Sequence, residues 1–477
     1  MGEEVKMDEA ALLKKLNITD VRDESEVEVD WKKAVQSFAG KVIVLDDDPT
    51  GVQTVYDVPV YTSWTKEECR NILSEESKVV FILTNSRALS YDETKLLHTE
   101  IADNLKRAAH EKNIDSSSLL IVLRGDSTMR AHYPVEMDTI VRELYGDAGI
   151  DAEIHVPAFI EGGRYTLHGT HYLWQDALVP VAQTEFAHDP VFAFENSDIT
   201  KWVCEKRKAD YDPKRFLNID IETLRKGDTD SIAQSMMDAP KGTGIVVDAA
   251  AYRDLETFCI ALMKCIGRGK RYVFRSGASM VRVLGGMEQR PCLTKQELNP
   301  RGEAGIVIVG SFVKKTTEQL AALKTLDGID CYEIRVEDIL KNDLKEQLKQ
   351  IMDGIGASMK AGRTSCIYTS RTYFGGELSQ EEKISNAKTI SNFLIEIVRN
   401  LPKQPGYLIA KGGITSSDIG VKGLGVRRAM VLGQAEAGVP VWRIDTENQF
   451  KGMNYVIFPG NVGQEDTLKK LLQRLDS

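Results

Sequence analysis

The sequence has little of what a disulfide-held or zinc-held fold needs. Seven cysteines, at 69, 204, 259, 265, 292, 331 and 366, are scattered through 477 residues with no CxxC spacing and no Cys/His cluster. A disulfide framework or a zinc site is therefore excluded as the organising device. Long apolar runs are also missing: none approaches the length of a membrane span, and no membrane partner is expected. The N-terminal MGEEVKMDEA is acidic where a signal or transit peptide would be basic and then apolar, so the cytoplasm is the expected location. Nor is there an excess of positive charge. The 61 Lys and Arg stand against 71 Asp and Glu, a net charge of −10, which disfavours a nucleic-acid partner. Two phosphate-binding signatures are absent as well, the P-loop GxxxxGK(S/T) and a GxGxxG that follows a strand. Histidines 155, 168 and 171 lack the HExxH arrangement, and no metal site is expected on the protein.

What the chain does have is a repeated pattern, a short β-branched apolar run that empties into a polar turn. Residues 42–45 read as a buried strand of a parallel sheet and end in Asp46, Asp47 and Asp48, with Pro49, Thr50 and Gly51 forcing a turn. Residues 79–83 repeat the pattern and end in Thr84, Asn85, Ser86 and Arg87, and residues 119–123 empty into RGDSTMR at 124–130. Helical stretches at 65–73 and 91–110 separate these runs. This is the rhythm of a mostly parallel sheet with helical crossovers. Right-handed crossovers put the strand exits on one edge, so the three polar segments are expected to converge. Adjacent carboxylates repel one another and need a metal, an arginine or a polyhydroxylated ligand beside them. Arg87, Arg124 and Arg130 can fork onto a carboxylate, Asp47, Asp48 and Asp126 can accept from alcohols, and Ser127 and Thr128 can serve either. The expected ligand is small, anionic and hydroxylated. Arg164 follows a Gly-Gly turn in the segment 155–169, which is expected as a loop bordering the site.

A chain of this length exceeds what one core sustains, so two domains are expected. Residues 1–40 read as a helical extension, with short helices at 11–16 and 31–38 around an acidic segment at 20–30. Residues 41–298 read as a first α/β domain, with a strand at 58–61 and further strands at 244–247 and 271–275; residues 198–237 read as helical and charged. Residues 299–477 read as a second α/β domain, and the break falls in the polar, proline-bearing stretch 287–302. There a strand at 306–309 ends in Gly310 and Ser311, followed by a helix at 314–323 whose free amides suit a phosphate. A strand at 407–410 leads to Gly412, Gly413, Ile414 and Thr415, and the run 455–463 supplies another strand and a turn with Gly460 and Asn461. A short strand at 366–369 and a helix at 385–400, opened by Ser385, complete the pattern. The physical suggestion is a nucleotide held by backbone amides from several loops.

Seven motifs in order, DDDPTG at 46–51, TNSR at 84–87, RGDSTMR at 124–130, VPAFIEGGRYTLHG at 156–169, GSFVKKTTEQ at 310–319, GGIT at 412–415 and PGNVG at 459–463, resemble those of the four-carbon acid sugar kinase family. The resemblance runs from about residue 41 to the end. It implies phosphorylation by magnesium-ATP of a terminal hydroxyl on threonate, erythronate or 3-oxo-tetronate. The acid sugar would sit on the first domain and the nucleotide on the second, with the active site in the cleft between them. It assigns the paired acids to Asp47 and Asp48, the small loop near the sugar to Arg87, and the DSTxR segment to Asp126, Ser127, Thr128 and Arg130. It assigns nucleotide contacts to Ser311, to the loop 412–415 and to Gly460. Ala131 in place of a usual glycine, Ile414 in place of glutamate in GGET, and the longer DDDPTGVQ form depart from the family pattern and bear mainly on the substrate.

Other functions compete for the same residues. A branched or five-carbon sugar acid is the nearest alternative substrate. Asp46-x-Asp48-x-Thr50 after a buried strand, with Leu83-Thr84-Asn85, is also similar to haloacid-dehalogenase-type magnesium phosphatases, in which Asp46 would be the nucleophile and Asp48 the acid. That class leaves the glycine-rich second half unemployed. A ligand sensor would need a broken catalytic set, and the acids and arginines are present. A homodimer is the default expectation for such a protein.

Overall fold

The computed structural model describes residues 23–210, 212–340, 344–371 and 379–476. The chain divides into two units, one comprising Ser63–Gln289 and the described residues up to Val55, the other Tyr56–Thr62 and the residues from Arg290 onward. The helix expected at 11–16 lies outside the described residues. The helix expected at 31–38 begins earlier, as Glu24–Ser37 capped by Asp23, and absorbs much of the acidic segment. Its Val27, Trp31 and Val35 are buried, so the acids ride on the outer face of an amphipathic helix rather than in a linker.

In the first unit, strands β1 (Val42–Asp46), β3 (Val79–Leu83), β4 (Leu120–Arg124), β5 (Ala152–Val156), β9 (Phe216–Ile219), β10 (Thr243–Val247) and β11 (Tyr272–Ser276) form a wholly parallel array in the order β3-β1-β4-β11-β5-β10-β9. β1, β3 and β4 are buried along their whole length, as strands covered on both faces by crossover helices must be. The chain passes from β1 to β3 on one side and then to β4 on the other. The carboxyl ends of β1 and β4 therefore flank a topological switch point, where the backbone parts and leaves a crevice. Two strands of this parallel array escaped the sequence pattern. β9 is a half-buried edge strand inside a stretch expected as helical, and β5 precedes a segment expected as loop. A three-stranded antiparallel sheet, β6 (Arg164–Leu167), β7 (Thr170–Trp174) and β8 (Leu178–Pro180), follows, so Arg164 opens a strand and does not lie in a loop.

The second unit holds β12 (Ile306–Val309), β13 (Ile329–Ile334), β14 (Thr364–Thr369), β15 (Tyr407–Lys411), β16 (Arg428–Glu436), β17 (Val439–Ile444) and β18 (Asn454–Phe458). The order β13-β14-β12-β15-β18 is parallel, and β17, β16 and β2 (Val58–Tyr61) continue it antiparallel. β2 thus belongs to this sheet, although the chain on either side of Tyr56–Thr62 lies in the first unit. The chain goes from β12 outward to β13 and returns to β15 on β12's other side, which makes β12 and β15 a second switch point. The helix expected from Ser385 begins at Gln380, because Ser379 and Glu382 form a reciprocal capping box ahead of it. Leu320, Leu323, Tyr407, Phe458, Leu468 and Leu472 are among the buried side chains of its core.

Candidate functional site

At the first switch point the strand exits bring acids and arginines into one cluster. Register pairs the end of β1 with the ends of both neighbours, Asp46 with Leu83 and with Arg124. The Asp46 carbonyl accepts from the Thr84 N–H at 2.9 Å and the Thr84 hydroxyl at 2.8 Å, which ties the TNSR loop to the aspartates. Arg87 clasps Asp47 through Nε (3.2 Å) and Nη2 (2.5 Å), and its Nη1 reaches Asp48 Oδ2 at 3.1 Å. Arg124 Nη1 donates to Asp46 at 3.2 Å and lies 4.0 Å from Asp47, while its buried Nε has no hydrogen-bond partner among the described residues. Asp48 is drawn into the turn by the Thr50 N–H (2.8 Å) and hydroxyl (2.6 Å), both on Oδ1. Gly51 is required for packing: a Cβ there would overlap the Asp46 carboxylate.

The RGDSTMR segment forms the other wall. Arg130 Nε donates to Asp126 at 2.8 Å, and the Thr128 hydroxyl donates to the same carboxylate. Arg130 also reaches Asp189 at 3.4 Å and lies 5.0 Å above the Phe186 ring. Ser127 and Thr128 are buried, and the Ser127 carbonyl faces His171 Nε2 at 2.7 Å. Asn85 and Met129 hold positive φ, 52° and 69°. Such conformations in non-glycine residues persist where the surroundings over-determine them, often at ligand sites. Arg164 stays at the Phe159 turn, over that ring at 5.8 Å and donating to the Gly162 carbonyl.

These contacts sort the carboxylates. Burial pushes Asp46 up to about 7 against the pull of Arg124, with Asp47 and Asp48 adding repulsion. Burial likewise raises Asp47 despite Arg87, Arg275 and Arg124. For Asp48 burial acts upward but Arg87 and the Thr50 bonds outweigh it, and the group is lowered. Asp126 falls well below the usual carboxylate range because Arg87 and Arg130 together overcome its burial. Asp48 and Asp126 are therefore ionised at neutral pH. Asp48 is also more open than Asp47 or Asp126, its side chain 23% exposed against 4% and 12%.

At the second switch point the contacts are small and hydroxylated. Gly412 has φ 126°, and a Cβ there would press on Ser311; a Cβ on Gly310 would meet the Thr415 hydroxyl, and one on Gly460 would lie 3.1 Å from Ser311 Oγ. Ser311, Gly412, Thr415 and Gly460 are thus mutual neighbours although 149 residues separate the first from the last. Gly412 caps the short helix Gly413–Asp418, Ile414 points outward at 73% exposure, and Asn461 is exposed beside Gly460. The Thr316 hydroxyl fixes the Gly460 carbonyl at 2.9 Å.

Several participants were not singled out from sequence. Arg275 fills the space over Gly125 and donates to the Arg130 carbonyl at 3.4 Å. Asp189 and Phe186 steady Arg130, Arg371 donates to the Ser311 carbonyl at 2.6 Å, and Lys411 ends β15 beneath the glycines. Only Lys411 carried a readable signal, a charge closing an otherwise apolar strand before Gly-Gly.

A family model for a sugar-binding N-terminal domain matches residues 42–284, and one for a nucleotide-binding C-terminal domain matches residues 306–468. The chain belongs to this two-domain family. Its sugar-binding domain carries the acid and arginine cluster, its nucleotide-binding domain carries the glycine and hydroxyl cluster, and the pairing is kinase-like. Among solved structures, Haemophilus influenzae protein HI1011 is similar at 17% identity and a TM-score of 0.62, covering 91% of this chain and 100% of that one. A proposed tRNA synthase from Salmonella typhimurium LT2 is similar at 15% identity and 0.64, covering 92% and 99%. At such identities the likeness is one of fold. No curated protein matches the chain. Among the described residues no helix is long and apolar enough to cross a membrane, and no group of three or more His, Cys, Asp or Glu is arranged to hold a metal ion.

Proposed function

We propose that the protein is an ATP-dependent kinase acting on the terminal hydroxyl of a four-carbon sugar acid such as threonate, erythronate or 3-oxo-tetronate. The observation that carries this is the chemistry gathered at the two switch points, acids with arginines in the sugar-binding domain and glycines with hydroxyls in the nucleotide-binding domain. A sugar-acid kinase must hold the carboxylate away from the phosphates while it aims a hydroxyl at the γ-phosphorus. Arg87 and Arg130 anchor the acid end, helped by Arg124, Arg164, Ser127 and Thr128. Asp47 and Asp126 keep the arginines in place, and Asp48 orients the hydroxyl and accepts its proton. Its lowered pKa suits that role, because a loose phosphoryl-transfer transition state needs orientation more than a strong base.

Ser311, Gly412, Gly413, Ile414, Thr415, Gly460 and Asn461 hold the nucleotide. Their donor set is amide and hydroxyl, so magnesium would be held chiefly by the phosphates and water, where it neutralises charge. The burial of Asp46 at 1% exposure, with Arg124 on its carboxylate, counts against a phosphatase nucleophile there. Titration of Arg130→Ala tests the anchor. Loss of a charged pair should weaken sugar-acid binding by about 10- to 100-fold and leave magnesium-ATP binding unchanged. Unchanged sugar-acid affinity would remove Arg130 from that role.

A further inference from the structure

We propose that Lys411 is a positioning residue of the nucleotide loops and takes up a proton when phosphates bind there, an inference that rests on the nucleotide role proposed above. Lys411 is the last residue of β15 and its side chain is fully buried. Its Nζ donates to the carbonyls of Pro459 at 2.5 Å and Gly460 at 3.2 Å and lies 4.1 Å from the Phe458 ring centre. Thr316 donates to the same Gly460 carbonyl. Two side chains from different elements therefore set where Gly460 lies against Ser311 and Gly412.

No carboxylate pairs with Lys411 among the described residues, and the charged group acting on it is Lys315, on the helix Lys314–Leu323. A buried ammonium without a counter-ion is costly, and a like charge adds to the cost. Burial first and Lys315 second push its pKa down to about 7. A neutral amine has two N–H groups, and two carbonyls are there to receive them; among the described residues the third N–H of an ammonium has no oxygen acceptor, only the face of the Phe458 ring beside it. Phosphates at the neighbouring glycines would supply both the missing acceptor and the missing negative charge. Binding then favours the charged form. Below about pH 7 the lysine is already protonated and binding takes up nothing. Above it, each nucleotide bound draws in up to one proton, and affinity falls with rising pH by at most about tenfold per unit.

Calorimetric titration of the full chain with magnesium-ATP at about pH 8, in two buffers of different ionisation enthalpy, reads the proton directly. Uptake should approach one proton per nucleotide at pH 8 and vanish near pH 6. Lys411→Met should bind more weakly and without uptake, whereas Lys411→Arg, charged throughout, should bind without uptake and with a flat pH profile. Wild-type binding with no proton exchange at pH 8 would overturn the proposal and leave the nucleotide role standing, as would uptake that survives in Lys411→Met. No binding of magnesium-ATP to the wild type would overturn the nucleotide role itself, and this proposal with it.

Discussion

Asp48 differs from its neighbours Asp46 and Asp47 in having its pKa lowered where burial raises theirs, in being partly open, and in being held from two sides, by Thr50 on one oxygen and Arg87 on the other. Asp48→Asn keeps an acceptor for Thr50 and leaves Arg87 its clasp on Asp47. The variant should therefore fold and bind both ligands while turnover falls by about 10²- to 10⁴-fold, the usual contribution of a positioned proton acceptor. Steady-state kinetics with parallel binding titrations check this, and near-normal turnover would dismiss Asp48 as the acceptor. Gly51 makes a second point at this scale. Its φ is not in the left-handed region, so the need for glycine is one of space. Gly51→Ala forces the buried Asp46 carboxylate off Arg124 and should cost about 1–3 kcal/mol, as overpacking does, read as a lowered thermal midpoint.

Elements explain which parts of the fold were readable in advance. β1, β3, β4, β12 and β15 are buried on both faces, so their sequences are unbroken apolar runs with conspicuous polar ends. The segments that bear most of the proposed site residues follow directly from those ends. β13 and β9 lie at sheet edges and keep polar residues such as Asp330, Glu333 and Asn218, which hides them among loops and helices. β16 alternates buried and half-buried positions through a glycine and two register shifts. β2 could be read as a strand but not assigned to a sheet, because nothing local distinguishes the neighbours it pairs with. The loop after β15 combines a positive φ with a close approach. Gly412→Ala would need φ 126° from a residue with a Cβ and would crowd Ser311. We expect magnesium-ATP affinity to fall at least tenfold with sugar-acid binding unchanged; equal nucleotide affinity in the variant would remove this turn from the binding surface.

At the scale of the whole molecule, the two domains repeat one solution. Each is an α/β sheet whose chain reverses direction across it, and each gathers polar loops at the crevice this reversal opens. The sequence showed that polar strand exits would converge. It could not show that they meet at switch points, since strand order is a long-range property. Nor could it show the pairing of each arginine, since Asp189 and Arg275 reach the cluster from 59 and 145 residues away. The central claim is a division of labour, with a sugar acid on the first domain and a nucleotide on the second. An assay of ADP formation from magnesium-ATP across a panel of four- and five-carbon sugar acids tests it most directly. The account predicts ADP release dependent on a four-carbon acid, with the product phosphorylated at its terminal hydroxyl. Release of phosphate from sugar phosphates without any nucleotide, and no ADP with any acid in the panel, would contradict it.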